Sequence, residues 1–311
     1  MTYKDCYVWG VKELETADVP EAKLDARLLL ETICGTDRNT LLVHGDREVL
    51  PEQIEAYEEA ICKRAKRVPL QHILGQQEFM GLVFEVNEHV LIPRQDTEVL
   101  VEKTLEVLKA CVAQRQMQVV GATECELQST SESTGVKVLD MCTGSGCILI
   151  SLLKMCPGTY GVGVDISKEA LVVARRNAAA ILECGIGDGT EKLDQIVRWI
   201  HSDMFTQVEG QFDVITSNPP YIPTKVIEGL MPEVKDFEPM NALDGMEDGL
   251  FFYRQIAEQA PKFLKSQGHL FLEIGHDQGE SVSQLLTQQG FEKVEVIKDY
   301  AGLDRVVHAQ K

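Results

Sequence analysis

Long apolar runs are missing from this 311-residue chain, and with them any segment able to span a bilayer. The N-terminus, MTYKDCYVWGVKEL, likewise lacks the apolar core of a signal peptide. Cys-x-x-Cys pairs are absent, as is any Cys/His spacing suited to zinc. Nine cysteines (Cys6, Cys34, Cys62, Cys111, Cys125, Cys142, Cys147, Cys156 and Cys184) form an odd number without a framework, which suits reduced thiols in a cytosol. The expectation is a cytoplasmic protein with no membrane association and no metal. Positive charge is scarce: 30 Lys and Arg stand against 49 Asp and Glu, a formal net charge of −19. A surface that acidic repels phosphate backbones unless its few basic residues cluster, which argues against free DNA or RNA as a substrate.

What is present reads first as helices. Pro20 stands where a first-turn proline belongs, Leu24, Leu28 and Leu29 follow at helical spacing, and Gly35 closes the segment. Pro51 opens another helix through Ile54, Tyr57 and Ile61 to a basic end, KRAKR, read as a solvated terminus that complements the helix dipole. Short β-like stretches, EFMGLVFEV and HVLIP, follow, broken by Gly81 and Asn87, and then a helix, DTEVLVEKTLEVLKACV. Residues 114–135 are rich in Gln, Ser, Thr and Glu without periodicity and read as a solvated loop. From Lys137 onward the strands VKVLDM, TYGVGVD, IVRWIHSD, FDVITSN and GHLFLEIG alternate with helical patterns, and FEKVEVIKDY and LDRVVHAQ form a closing hairpin. That alternation predicts an α/β fold, a parallel sheet with helices on both faces.

The strand VKVLDM runs into CTGSGCILISLL, a Gly-rich turn before an apolar helix. Gly144 and Gly146 let a backbone approach a ligand and present N–H groups at a helix N-terminus, although such a turn alone also suits a nucleotide loop or a plain tight turn. Two carboxylates sharpen the reading. Asp165 ends TYGVGVD, where it can accept both hydroxyls of a ribose, and Asp203 ends the next strand, where it can accept from an adenine amino group. A ribose-and-adenine ligand fits; a triphosphate does not, because the loop lysine of the phosphate-binding motif is absent.

The fourth strand ends in Asn218-Pro219-Pro220-Tyr221. Two prolines lock φ and carry no N–H, and Asn218 is held extended by the proline after it. This predicts a rigid ledge that projects the Asn218 amide oxygen and the Pro219 carbonyl into the cleft, two acceptors for one planar NH₂ group. Such a nitrogen has a delocalised lone pair and is a poor nucleophile, so orienting it and stabilising its developing charge is the difficulty to be met. Tyr221 would supply a flat wall for the planar group.

VLDMCTGSG, Asp165 and the NPPY motif together resemble Rossmann-type methyltransferases that act on planar NH₂ groups. PLQHILGQQEF, LIPRQDTEVLVE, FEPMNALDGMEDGLFFYRQI and LEIGHDQGE narrow the resemblance to the release-factor glutamine N5-methyltransferases (PrmC/HemK) over nearly the whole chain. The resemblance implies a helical substrate-binding domain over 1–75, a β-hairpin linker over 76–95 and a Rossmann-like class I methyltransferase domain over 96–311. It implies S-adenosyl-L-methionine as cofactor, S-adenosyl-L-homocysteine as its product, and the Gln of a Gly-Gly-Gln loop in peptide chain release factors as target; a monomer is a separate expectation. Cys142, Thr143, Gly144, Ser145, Gly146, Asp165, Asp203, Met204 and Asn218 match its cofactor contacts. Asn218, Pro219, Pro220 and Tyr221 match its glutamine pocket, with Asn218, Pro219 and Tyr221 as catalytic residues, and Phe79, Arg94 and Glu98 as further substrate contacts. Arg94, Asp96 and Glu98 either meet substrate or tie the hairpin to the catalytic domain by ion pairs. Cys142, Gln95 and Met204 depart from the family's usual Gly, Pro and aromatic. The rival readings are a glutamine methyltransferase of a ribosomal protein and an adenine-N6 DNA methyltransferase; the latter calls for a basic channel that this acidic chain does not display.

Overall fold

Helix boundaries in the first quarter of the chain follow from capping chemistry. The computed structural model describes residues 1–120, 135–182 and 193–311. It divides into one unit of Met1–Gln76 with Leu230–Glu238, and a second of Gln77–Gly229 with Pro239–Lys311.

In the first unit, α1 (Tyr3–Thr16) opens on a capping box: Thr2 Oγ1 accepts from the Asp5 amide at 3.2 Å, and Asp5 Oδ2 accepts from the Thr2 amide at 3.0 Å. The second helix, α2 (Ala22–Cys34), ends at Gly35 in the left-handed conformation. Pro20 precedes this helix instead of occupying its first turn, and Leu24 is exposed, so the buried stripe runs through Ala26, Leu29 and Leu30. After α3 (Arg38–Val43), Pro51 does occupy the first turn of α4 (Pro51–Ala65), and α5 (Leu70–Leu74) follows. Leu14, Leu29, Leu30, Tyr57 and Ile61 form the core, where the Tyr57 hydroxyl donates to the Ala26 carbonyl at 3.1 Å.

The KRAKR segment departs from its expected solvated state. Arg64 is buried, with Nε 2.7 Å from Asp25 and Nη2 2.9 Å from Glu233, and Arg67 Nε also reaches Glu233 at 2.7 Å. Asp25 lies on α2 and Glu233 in the 230–238 segment, both distant in sequence, so periodicity along α4 could not disclose the pairing.

The second unit opens with a hairpin of β1 (Gln76–Phe79) and β2 (Leu82–Glu85), turned by Met80 and Gly81 at positive φ. HVLIP, expected as a strand, is irregular: Asn87 Oδ1 accepts from the His89 amide and turns the chain, while Val90 and Ile92 are buried outside the assigned strands. Helix α6 (Glu98–Val120) runs beyond the expected start of the loop at residue 114. Gln, Arg and Met are adequate helix formers, and Arg115 fastens this end to Asp213 and the Gly135 carbonyl. The remainder of the expected loop, 121–134, lies outside the described residues, as do Cys125 and Cys184.

The sheet comprises β3 (Val136–Met141), β4 (Thr159–Asp165), β5 (Val197–His201), β6 (Phe212–Ser217), β7 (Leu264–Glu273), β8 (Glu292–Lys298) and β9 (Asp304–Gln310), in the order β5-β4-β3-β6-β7-β9-β8. The first five are parallel; β9 pairs antiparallel with both β7 and β8, which is the closing hairpin. Neighbouring residues serve opposite faces. Val138 and Val214 join the core containing α6 and α7 (Cys147–Met155), whereas Leu139 and Ile215 join the core beneath α9 (Phe251–Phe263) and α10 (Gly279–Gln288). The helix α8 (Lys168–Ile181) follows β4. The chain runs outward from β3 to β5 and then returns to β6 on the other side of β3, creating the crevice at which open α/β sheets take ligands.

Candidate functional site

Strand register levels the functional residues. Met141 pairs with Val164 on one side and Ser217 on the other, Asp165 pairs with His201, and Ser217 pairs with Leu272. The turn after β3, the end of β4, the turn after β5 and the start of Asn218-Pro219-Pro220-Tyr221 therefore converge on one cavity of 480 Å³. Cys142, Thr143, Gly144, Ser145, Asp165, Asp203, Met204, Asn218 and Pro220 line it, as does Arg94.

The glycine-rich turn uses its N–H groups differently from the sequence expectation. The Gly144 amide donates to Asp165 Oδ2 at 2.8 Å, and the Gly146 amide to the Thr143 carbonyl at 2.8 Å. Both are engaged within the protein, the first by the end of the neighbouring strand and the second inside the turn, so neither donor is offered to an anion. Gly144 has φ +55, and a Cβ on Gly146 would come 2.8 Å from Ile150 and 3.1 Å from Trp199; the first glycine serves conformation and the second serves packing. Cys142 also has positive φ, at 58°, a strained position for a side chain and the reason glycine suits it. Burial pushes the Cys142 thiol well up and that of Cys147 to about 12, so neither serves as a thiolate nucleophile.

Asp165 keeps acceptor capacity. Its Oδ1 takes the Ser167 amide at 2.8 Å, and a carboxylate that lines the cavity has more lone pairs than its backbone amides occupy. Burial raises its pKa, and the amides of Ser167, Gly144 and Ile166 oppose that by stabilising the charge. Ser202 shapes the next turn: its hydroxyl donates to the Met204 carbonyl at 2.9 Å, holding Met204 at φ 46 with its side chain buried against the cavity.

The prolines divide into two settings. Asn218 and Pro220 line the cavity, whereas Pro219 is buried and Tyr221 is half-buried against the α9 core, both outside the cavity lining. The ledge is braced from behind. Gln278 Nε2 donates to the Tyr221 carbonyl at 3.0 Å and to the Gly249 carbonyl at 3.3 Å, and the Gly245 amide donates to the Ile222 carbonyl at 2.8 Å. A Cβ on Gly249 would lie 2.4 Å from the Tyr221 carbonyl oxygen, so this loop can approach only without a side chain. Burial pushes the Tyr221 phenol up to about 12, leaving it neutral.

The substrate residues expected near the hairpin separate. Phe79 is 1% exposed and packs edge-on to Phe84 at 6.1 Å in the α6 core, away from the cavity lining. Glu98 Oε1 accepts from the Met80 amide at 2.6 Å, and Asp96 pairs with Arg305 at 3.2 Å, so both perform tying roles.

Other residues went unnoticed in the sequence. Asp140 is fully buried and accepts from Thr143 Oγ1 at 2.6 Å and Thr216 Oγ1 at 2.8 Å, joining the turn to β6; burial pushes its carboxyl to about 7. Asn177 Nδ2 donates to the Ser145 carbonyl at 2.9 Å and the Glu85 carbonyl at 3.1 Å, fastening the hairpin to the turn. Thr97 takes the Asn218 Nδ2 donor at 3.5 Å. Glu273, at the end of β7, is buried and pushed up to about 7, by burial first. A lone acid closing an otherwise apolar strand, GHLFLEIG, was the available signal for Glu273. Among the described residues, no cluster of His, Cys, Asp and Glu could hold a metal, and no helix is long and apolar enough to cross a membrane.

Comparison with known proteins gives consistent matches. Residues 5–75 match the family model described as PrmC N-terminal domain, and residues 117–231 the one described as methyltransferase small domain. A release factor glutamine methyltransferase of Geobacter sulfurreducens is 39% identical over 96% of this chain and 93% of its own length. One from Agrobacterium fabrum is 37% identical over 95% of this chain and 93% of its own. The crystal structure of a release factor-specific protein-(glutamine-N5) methyltransferase from Alicyclobacillus acidocaldarius is 31% identical, covering 73% of this chain and 99% of that one, with a TM-score of 0.39.

Proposed function

The chain belongs to the release factor glutamine methyltransferase family, and on that premise we propose that it methylates the side-chain amide nitrogen of the glutamine in the Gly-Gly-Gln loop of peptide chain release factors, with S-adenosylmethionine as methyl donor. The residues around the cavity suit that cofactor. Its 480 Å³ is of the size small-molecule sites have, Asp165 can accept from ribose hydroxyls, Asp203 from an adenine amino group, and Met204 offers an apolar, polarizable surface to a purine face. Bound there, the cofactor supplies an electrophilic sulfonium methyl.

This chain's own residues would do the rest. Asn218 Oδ1 accepts from the glutamine NH₂, turns the nitrogen toward the methyl and stabilises positive charge as it develops on nitrogen. No strong base is required, because the nitrogen becomes acidic only as its bond to carbon forms. The rigidity of the two prolines and the brace from Gln278 keep this acceptor aimed before substrate arrives. The helical unit of residues 1–75 is the part we assign to gripping the release factor, and the cytoplasm is the compartment this reading implies.

The observation that carries the reading is the convergence of Asp165 and Asn218 on one cavity at level strand ends. Its test is transfer of labelled methyl from S-adenosylmethionine to a purified bacterial release factor, its Gly-Gly-Ala variant, a ribosomal protein and duplex DNA. Label on the wild-type factor alone is the expected result; label on DNA or the ribosomal protein would overturn the substrate assignment.

A further inference from the structure

An asparagine carboxamide has two ends of nearly equal shape, and the proposed chemistry needs the oxygen, not the NH₂, in the cleft. The residues packed beside Asn218 decide this, Thr97 among them at the cavity wall. Its Nδ2 faces Thr97 Oγ1 at 3.5 Å, and Thr97 is 2% exposed. Ser217 and Leu272 are register partners, so the residues that follow them, Asn218 and Glu273, end adjacent parallel strands. Glu273 is 1% exposed, and its Oε2 finds no hydrogen-bond partner among the described residues. Thr97 and Asn218 are the neutral polar neighbours that favour its ionised form.

We propose that Glu273 is a positioning residue that sets the orientation of the Asn218 carboxamide through the Thr97 hydroxyl. This rests on the function proposed above. Thr97 has one hydroxyl proton. When Glu273 is ionised it can only accept, so Thr97 donates to it and offers Asn218 a lone pair; Nδ2 points to Thr97 and Oδ1 into the cleft. When Glu273 is protonated it donates to Thr97, whose proton then turns toward Asn218 and draws Oδ1 away from the cleft. The substrate NH₂ would then meet a donor instead of an acceptor.

Charges around Glu273 oppose one another. Burial and Asp96 favour its neutral form, while Arg305 favours its ionised form; Tyr221, Tyr253 and Cys147, all raised in pKa, stay neutral beside it. Its carboxyl lies at about 7, so the acceptor state is lost as pH falls through that value.

Single-turnover methylation of intact release factor at saturating S-adenosylmethionine, between about pH 6 and about pH 8.5, tests the proposal. The wild-type rate is expected to rise with pH, approaching about tenfold per unit at the acid end, and to level above about pH 7. Glu273→Gln, nearly isosteric, should flatten the profile and lower the plateau roughly tenfold, with KM for cofactor and release factor unchanged. Thr97→Val should lose a similar factor, Thr97→Ser should restore it, and the double variant T97V/E273Q should be no slower than either single. An acid limb retained in Glu273→Gln, a full wild-type rate in Thr97→Val, or additive losses in the double variant would overturn the role. Absence of transfer by the wild-type enzyme would instead sink the functional reading beneath it, and the proposal with it.

Discussion

Asp165 Oδ2 accepts the Gly144 amide proton at 2.8 Å, so the end of β4 holds the glycine-rich turn that follows β3. The acid assigned to ribose is therefore also part of the scaffold of its own pocket. Asp165→Ala removes the ribose acceptor and releases the turn together. Cofactor affinity, measured by calorimetry, should fall roughly 10- to 100-fold, as expected from losing hydrogen bonds to a charged group. Unchanged affinity would mean the ribose lies elsewhere.

Asn218 tests the chemistry separately from binding. Asn218→Ala should lower kcat by about 10²- to 10³-fold, the scale for deleting one preorganised polar group at a reacting centre. Cofactor affinity should be nearly unchanged, because Asp165, Asp203 and Met204 are intact. Equal losses in both quantities would contradict an orienting role.

Gln278 reaches neither the cavity lining nor the reacting atoms, yet its side chain joins Tyr221 to Gly249. Gln278→Ala leaves two carbonyls without that donor, at a cost of about 1–3 kcal/mol. The expected kinetic result is a roughly tenfold drop in kcat/KM for release factor with cofactor affinity preserved. Steady-state kinetics with each substrate varied in turn would reveal it, and a loss confined to the cofactor would argue against a brace on the ledge.

In the first unit, Arg64 neutralises Asp25 and Glu233 inside the protein. Arg64→Ala leaves two carboxylates with one cation, Arg67, and should destabilise the fold by about 3–5 kcal/mol in chemical denaturation. Burial raises the Glu233 pKa, but the bonds from Arg67 and Arg64 outweigh it and hold the carboxyl below its usual value. Its contribution is thus present above pH 4.5 and fades as pH falls through the lower folded value, so the gap between wild type and Arg64→Ala should narrow in acid. A gap independent of pH would remove Glu233 from the account.

Much of the second unit was legible because its information is local. Strands buried on both faces are written as apolar runs, VKVLDM and FDVITS among them, and the turns at their ends carry residues whose backbone or side-chain chemistry is unusual: Gly144, Asp165, Asn218 and two prolines. Local rules also named the stop of α2 at Gly35 and the start of α4 at Pro51. They failed where a partner lay far along the chain. HVLIP has strand composition but lies outside the strands of the described residues, and α6 continues past residue 114, where Arg115 meets Asp213. Phe79 stands in a motif segment, yet a hairpin folded onto α6 sends its ring into the core.

By itself the sequence determined the order of elements, the alternation that produces a doubly covered sheet, and the residue types able to accept ribose hydroxyls and an amide NH₂. Tertiary structure alone decided which side chains stand behind them. Asp140 beneath the glycine turn, Asn177 between hairpin and turn, and Thr97 and Glu273 beside Asn218 join positions distant along the chain. The reason is physical: a hydrogen bond or buried charge depends on distance in space, and only strand register and packing bring such distant residues within reach.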